Sequence, residues 1–158
     1  MLVVDKWLGN CNGRQAVFER KQRERKYRAV FIDQGFCFNA GAWDFPDPPL
    51  RGIFPRNVVY APVRGWESFE PWLGRVERLT AAQLGAIAEE VPPEWYGGDW
   101  RVLEALMETL LRRQGRVREL IGQFGATSRA PFPNWGKEKA VVVRGPEDWL
   151  GEGPRLVM

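Results

Sequence analysis

The apolar positions of this chain follow two different periods, and the change of period divides it. Near the start, QAVFERK (15–21) and YRAVFIDQG (27–35) are short β-branched and aromatic runs joined by the charged stretch QRER (22–25). That pattern predicts an antiparallel hairpin spanning roughly residues 16–32. After residue 68 the spacing becomes helical. Phe69, Trp72, Leu73 and Val76 fall on one face, with Ser68 as candidate N-cap and Pro71 in the first turn. Thr80 and Gln83 form a capping box ahead of Leu84, Ile87 and Ala88, and VPPE (91–94) stops that helix. Asp99 caps the longest helical stretch, where Leu103, Leu106, Met107, Leu110, Val117, Leu120 and Phe124 recur and Gly115 is placed to interrupt them. Stripes of this kind line a core.

Between hairpin and helices, residues 36–65 are rich in Pro, Gly and aromatics, the composition of a functional loop rather than a linker. Beyond Pro131, AVVVRG (140–145) predicts one more strand, followed by a Gly- and Pro-rich end expected to be loosely held. The expected fold class is α+β and mainly α, a small β-hairpin with several packed helices.

Composition changes this picture little. With 158 residues, 44% hydrophobic and 27% charged, the chain is long enough for one domain with a real core. Eight Trp and twelve Pro suit irregular loops pinned by aromatic rings. Cys11 and Cys37 make no disulfide framework, and without His the usual zinc ligand sets are out of reach. Ordinary free thiols are expected of them rather than a redox switch. No apolar run is long enough for a membrane span, and no signal peptide precedes the first motif, so a cytoplasmic location is expected. The net charge of +3 suits an anionic ligand without arguing for nucleic acid. Its densest part, Arg20 to Arg28, holds six Lys or Arg against Glu19 and Glu24. With Tyr27 as its one aromatic, this stretch reads as a solvated hairpin tip before a nucleic-acid patch.

Candidate chemistry lies ahead of the hairpin. DKWLGNCNGRQAVF (5–18) packs Asp5, Asn10, Asn12, Arg14 and Gln15 into a Gly-punctuated loop, and Asp33 follows the second strand in VFIDQGF. Phosphoryl transfer needs a group that orients the attacking hydroxyl, plus oxygen ligands that hold magnesium against phosphates. Antiparallel pairing would return Asp33 to the edge where Asn12 starts, on one concave face. Each motif alone is an ordinary turn. Their order and spacing carry the signal.

DKWLGNCNGRQAVF, YRAVFIDQGFCFNAGAWDFPDPPLRG and VRGWESFEPWL resemble the bacterial HipA-like kinases, relatives of the toxin kinase HipA and, more distantly, of phosphatidylinositol kinases. The resemblance runs from about Val4 to Phe124. It implies a kinase-like C-terminal catalytic lobe at residues 1–130, with 131–158 a tail of unknown role. It also implies transfer of the ATP γ-phosphoryl group to a protein Ser/Thr hydroxyl, with ATP and Mg2+ as cofactors. Asp33 matches the family's magnesium-binding Asp. Gly9 and Asn10 match the Gly-Asn that opens the catalytic loop beside the cofactor. Arg14 and Gln15 match the GRQ of this subgroup, Arg14 as a catalytic-loop residue and Gln15 in the metal-side place of the usual Asn at a shorter offset.

Asn12 stands where the family's pattern has its catalytic Asp. A carboxamide cannot accept a proton from a hydroxyl at neutral pH, and a general base contributes about 100- to 10,000-fold, so the isolated chain is expected to be nearly inactive. Asp5, ahead of the Gly-Asn, is expected to anchor the loop. No glycine-rich phosphate loop or strand Lys precedes the motif, so the expected partner is a missing N-terminal lobe or partner chain. Three readings stay open: a phosphotransferase lobe, a pseudokinase-like protein-binding module and, least favoured, a nucleic-acid binder acting through the basic tip. Trp43 and Phe45 are candidates to line a substrate groove. Protein and small-molecule hydroxyls both remain candidate acceptors.

Overall fold

The computed structural model describes residues 1–138. In order the elements are α1 (Leu2–Trp7), β1 (Gln15–Glu19), β2 (Arg28–Ile32), α2 (Trp72–Glu77), α3 (Ala81–Glu89), α4 (Trp100–Gln114) and α5 (Val117–Gly125). Short 3-10 turns at 37–42, 57–60, 66–69 and 93–96 punctuate the connections. Among the described residues the architecture is α+β and mainly helical, and the strands are the two of one antiparallel hairpin.

The hairpin forms where the β-branched runs predict it. Gln15 pairs with Ile32, Val17 with Val30 and Glu19 with Arg28. Strand alternation therefore puts Ala16, Phe18, Ala29 and Phe31 on one face and Gln15, Val17, Val30 and Ile32 on the other. The charged tip is exposed, with Arg28 paired to Glu19 at 3.4 Å and Arg20 lying over the Tyr27 ring.

Two clusters make the core. The first joins Leu2 and Val3 of α1, Ile53, Tyr60, Phe69, Leu73 and Val76 of α2, and Val117, Ile121 and Phe124 of α5. The second joins Leu84 and Ala88 of α3 to Leu103, Leu106 and Leu110 of α4. Trp7 touches both, and its indole N–H donates to the Leu110 carbonyl at 2.9 Å. Leu73, Val117, Ile121 and Phe124 are fully buried, each stabilising the fold by roughly 1.5–3 kcal/mol. The apolar stripe breaks into α4 and α5 at Gly115, as its position predicts.

The three predicted helix starts differ in outcome. Thr80 caps α3 through the expected reciprocal box with Gln83, and Asp99 caps α4 by accepting the Arg101 N–H at 3.0 Å. Ser68 is not an N-cap. It lies inside the 66–69 turn and accepts the Arg64 N–H at 3.0 Å, while α2 starts only after Pro71. The reason is Pro71, which pushes Glu70 into an extended conformation (ψ 150°) and separates the turn from the helix.

Past residue 130 the chain continues into the first cluster. Phe132 packs edge-on against Phe124 at 5.5 Å, and Asn134 donates to the Ala61 carbonyl at 2.9 Å. The strand expected at 140–145 lies outside the described residues. Among the described residues, no helix is long and apolar enough to cross a membrane.

Candidate functional site

Helix α1 ends at Trp7 with Leu8 as its C-cap; Gly9, at φ +60°, then turns the chain into the loop, and a Cβ there would meet the Phe45 ring at 2.7 Å. The loop is held from inside by Asp5, which is buried. Asn10 donates its amide to Asp5 Oδ1 at 3.0 Å and accepts the Asn12 N–H at 3.1 Å. Arg14 grips both Asp5 oxygens, through Nε and Nη2. Its remaining Nη1 reaches the Ile32 carbonyl at 3.3 Å and Gln34 Oε1 at 3.1 Å. Arg14 thus ties the first loop to the segment after β2. Burial opposes its charge, but the bonds to Asp5 outweigh burial and raise its pKa above the ordinary guanidinium value. Gly52, at φ +63°, brings the 50–53 segment so close that a Cβ would sit 2.8 Å from the Asn10 carbonyl.

In front of this buried frame stand three polar side chains, Gln15 and Asp33 exposed and Asn12 half-buried. Asn12 Nδ2 and Gln15 Nε2 both donate to Asp33 Oδ2, at 3.1 and 2.6 Å. Asp33 itself has φ +60°, a left-handed conformation that aims its carboxylate back at the loop. The second Asp33 oxygen, Oδ1, receives no hydrogen bond among the described residues. Asn12 Oδ1 accepts the Gly13 N–H at 2.8 Å. On its other side Asn12 borders a recess of about 220 Å³ that it shares with Cys11, Gly13, Pro55 and Arg129. Asp33 lies beside this recess rather than in its wall.

The residues read from the motifs therefore separate into two layers. Asn12, Gln15 and Asp33 meet at the surface, while Asn10 and Arg14 are buried behind them and Gly9 shapes the turn. Any contribution of Arg14, Asn10 or Gly9 runs through positioning, because Asn10 and Arg14 spend their polar atoms on the frame. Asp5 anchors the loop, as expected. Trp43 and Phe45 do not line an open groove together: both pack against the second core cluster, and Arg113 lies 4.4 Å over the Phe45 ring.

Sequence reasoning missed the second buried frame. Arg113, 4% exposed on the apolar face of α4, clamps Asp47 with both terminal nitrogens at 3.0 and 2.8 Å and donates to the Trp7 and Lys6 carbonyls. Lys6 donates to the Pro49 and Arg51 carbonyls at 2.8 and 2.7 Å. Burial pulls its pKa down to about 8 against the attraction of Asp47 and Asp5. The signal was available: Arg113 falls between Leu110 and Val117 on the helical stripe, where a charge needs a buried partner. Cys11 and Cys37 are free, and burial pushes the Cys37 thiol up, so its thiolate is scarce at neutral pH.

The surface trio offers one carboxylate and two carboxamides. Among the described residues, no group of three His, Cys, Asp or Glu side chains gathers to hold a metal. The set does not fit an all-protein cation cage. A single carboxylate of this kind would supply one ligand to a divalent cation whose other ligands come from elsewhere. The two amides present N–H to Asp33, and a half-turn about either amide bond would present oxygen instead. Compared with known proteins, the chain matches no family model, no curated protein and no solved structure.

Proposed function

We propose that this chain is the catalytic-lobe portion of a HipA-like phosphotransferase, in which Asp33 and Gln15 hold the magnesium of ATP–Mg2+ and Asn12 faces the acceptor hydroxyl. The observation that carries this reading is the convergence of Asn12 and Gln15 on one oxygen of Asp33. That leaves Asp33 Oδ1 without a hydrogen bond among the described residues, and in this reading it is the atom offered to the cation. Further support comes from the hairpin face that carries Gln15. Val17 and Ile32 on it are 47% and 41% exposed, an apolar platform against which a nucleobase can rest.

When bound, magnesium would neutralise charge on the phosphates. The chain's own residues do the rest. Asp33 and Gln15 fix the phosphate end, while the Asp5–Arg14 frame keeps the two loops in register. Asn12 can orient a hydroxyl by hydrogen bonding but cannot take its proton, so catalysis by this chain is weak. A lobe closing over the nucleotide has to come from outside residues 1–138, and the phosphate grip of a strand Lys with it.

The pseudokinase-like reading, a lobe that binds a protein partner, is favoured by Asn12 alone. The two are separated by radiolabelled phosphate transfer in magnesium and ATP. The phosphotransferase reading expects feeble transfer by the chain, a large gain from Asn12→Asp with an N-terminal lobe supplied in trans, and loss of that gain with Asp33→Ala. Silence of every combination rejects it in favour of the binding module.

A further inference from the structure

The hairpin stands clear of the core: no residue of β1 or β2 is buried, and none belongs to either cluster. Its outer end, residues 19–28, sets six Lys or Arg against Glu19 and Glu24. That net +4 exceeds the +3 of the whole chain, so all other residues together come to −1. Among the described residues the ion pairing of this tip is limited to Arg28 with Glu19, two exposed side chains 3.4 Å apart. Arg20, Lys21, Arg23, Arg25 and Lys26 keep their charges in solvent. Five cations on one projecting arm concentrate a field that favours an anionic partner.

Tyr27 is the one aromatic within the tip, but the fold brings others to the same face. Phe18 pairs with Ala29 and Ala16 with Phe31. One further step of that register sets Arg20 opposite Tyr27, and the Arg20 guanidinium lies 5.1 Å from the Tyr27 ring centre. Phe31, Phe18 and Tyr27 therefore run outward along one face, 40%, 66% and 61% exposed. At its inner end this face lines a cleft of about 440 Å³ together with Trp72. Trp72 is 53% exposed and carries a second guanidinium, that of Arg75, at 4.7 Å.

We propose that this arm binds single-stranded nucleic acid, with phosphates on the basic tip and bases stacked on Tyr27, Phe18 and Phe31. Cations beside uncovered rings match an unpaired strand, whose backbone is anionic and whose base faces are free. A duplex keeps those faces inside its own stack and meets only the charges. A membrane is the poorer match, since residues 20–26 at the end of the arm include no apolar side chain to insert. Backbone charge and base faces are common to RNA and DNA, so both serve. This face is the one opposite Gln15, Val17 and Ile32, and its use needs no phosphoryl transfer.

The test is fluorescence anisotropy of the full chain with labelled oligothymidylate and oligouridylate of about 12 nucleotides, without ATP and with each variant's folding checked by circular dichroism. Affinity for both should fall with salt at a log–log slope of about −3 to −4, from five phosphate contacts at about 0.7 each. Changing Lys21, Arg23, Arg25 and Lys26 together to Gln should flatten that slope to about −1. Phe18→Leu and Tyr27→Leu should each weaken single-strand binding by about tenfold and leave duplex binding unchanged, whereas Phe18→Tyr, which keeps the ring, should bind like the parent. Absence of binding at low salt would overturn the proposal, as would unchanged single-strand affinity in both leucine variants. Equal binding of polyglutamate would assign the tip to an acidic protein segment. Binding to phosphatidylserine vesicles with none to the oligonucleotides would assign it to a membrane, and either result overturns the proposal as well.

Discussion

Asn12 and Asp33, 21 positions apart in sequence, meet at the open end of the hairpin, where Asn12 Nδ2 donates to Asp33 Oδ2 at 3.1 Å. A neutral amide stands beside the carboxylate where a second negative charge would be expected for metal-dependent phosphoryl transfer. Changing that one atom pair should be informative. Asn12→Asp sets two carboxylates side by side, which repel without a cation and share one with it. Manganese binding, followed by paramagnetic resonance, should tighten by about tenfold or more, and thermal stability should fall slightly in chelator and recover with the ion. Asp33→Ala should abolish the binding in either background.

The buried pair behind the site should matter far more to stability than the surface trio. Arg14→Ala leaves Asp5 buried without its counter-charge, keeping only the Asn10 amide, at a cost of about 3–5 kcal/mol. Urea unfolding of Arg14→Ala and Gln15→Ala should separate them clearly, with Gln15→Ala within about 0.5 kcal/mol of the parent.

Lys6 gives the fold a pH dependence of defined sign. Its folded pKa, about 8, lies below the ordinary value of 10.5 because burial outweighs the pull of Asp47 and Asp5. Between those two values the unfolded chain binds more protons, so this residue makes stability rise with pH across that window. Cys37 and Tyr60, both raised by burial, act in the opposite direction towards its upper end. The Lys6 contribution is therefore the difference between the parent and Lys6→Met, measured as unfolding free energy from pH 8 to pH 10. That difference should shift in favour of the parent as pH rises, and a pH-independent difference would contradict the assignment.

Glycines in the loop region should divide sharply. Gly52→Ala combines a left-handed φ with a 2.8 Å approach to the Asn10 carbonyl, and should cost about 1–3 kcal/mol. Gly13→Ala meets nothing within 4 Å and has no left-handed φ, so its melting temperature should stay near that of the parent.

The helix starts offer a matched comparison. Thr80→Ala removes a capping box and should cost about 1 kcal/mol. Ser68→Ala should cost less than Thr80→Ala, since Ser68 caps no α-helix and its hydroxyl accepts a single exposed N–H.

Much of this architecture is written locally. The strand runs 15–19 and 28–32, the Thr80 and Asp99 caps, and the break at Gly115 depend on neighbours within a few positions, and all of them appear where the residues predict. The meeting of Asn12 with Asp33 is nearly as local, because a hairpin returns its ends to one place. Helix α1 is different: the sequence pattern predicts no helix over residues 2–7 and places Asp5, Lys6 and Trp7 in the loop, and burial of Leu2 and Val3 against α2 and α5 is what stabilises the six residues as a helix. Burial also decided the roles inside the loop. From sequence alone Arg14 and Gln15 are adjacent polar residues of one motif, yet one faces Asp5 in the interior and the other faces Asp33 at the surface. The Asp47–Arg113 clamp spans 66 positions, and no local pattern reports which distant carboxylate a buried guanidinium will find. Periodicity determines which side chains share a face of their own element, but only the packed chain decides what that face meets, because desolvation and ion pairing depend on neighbours brought together from remote parts of the sequence.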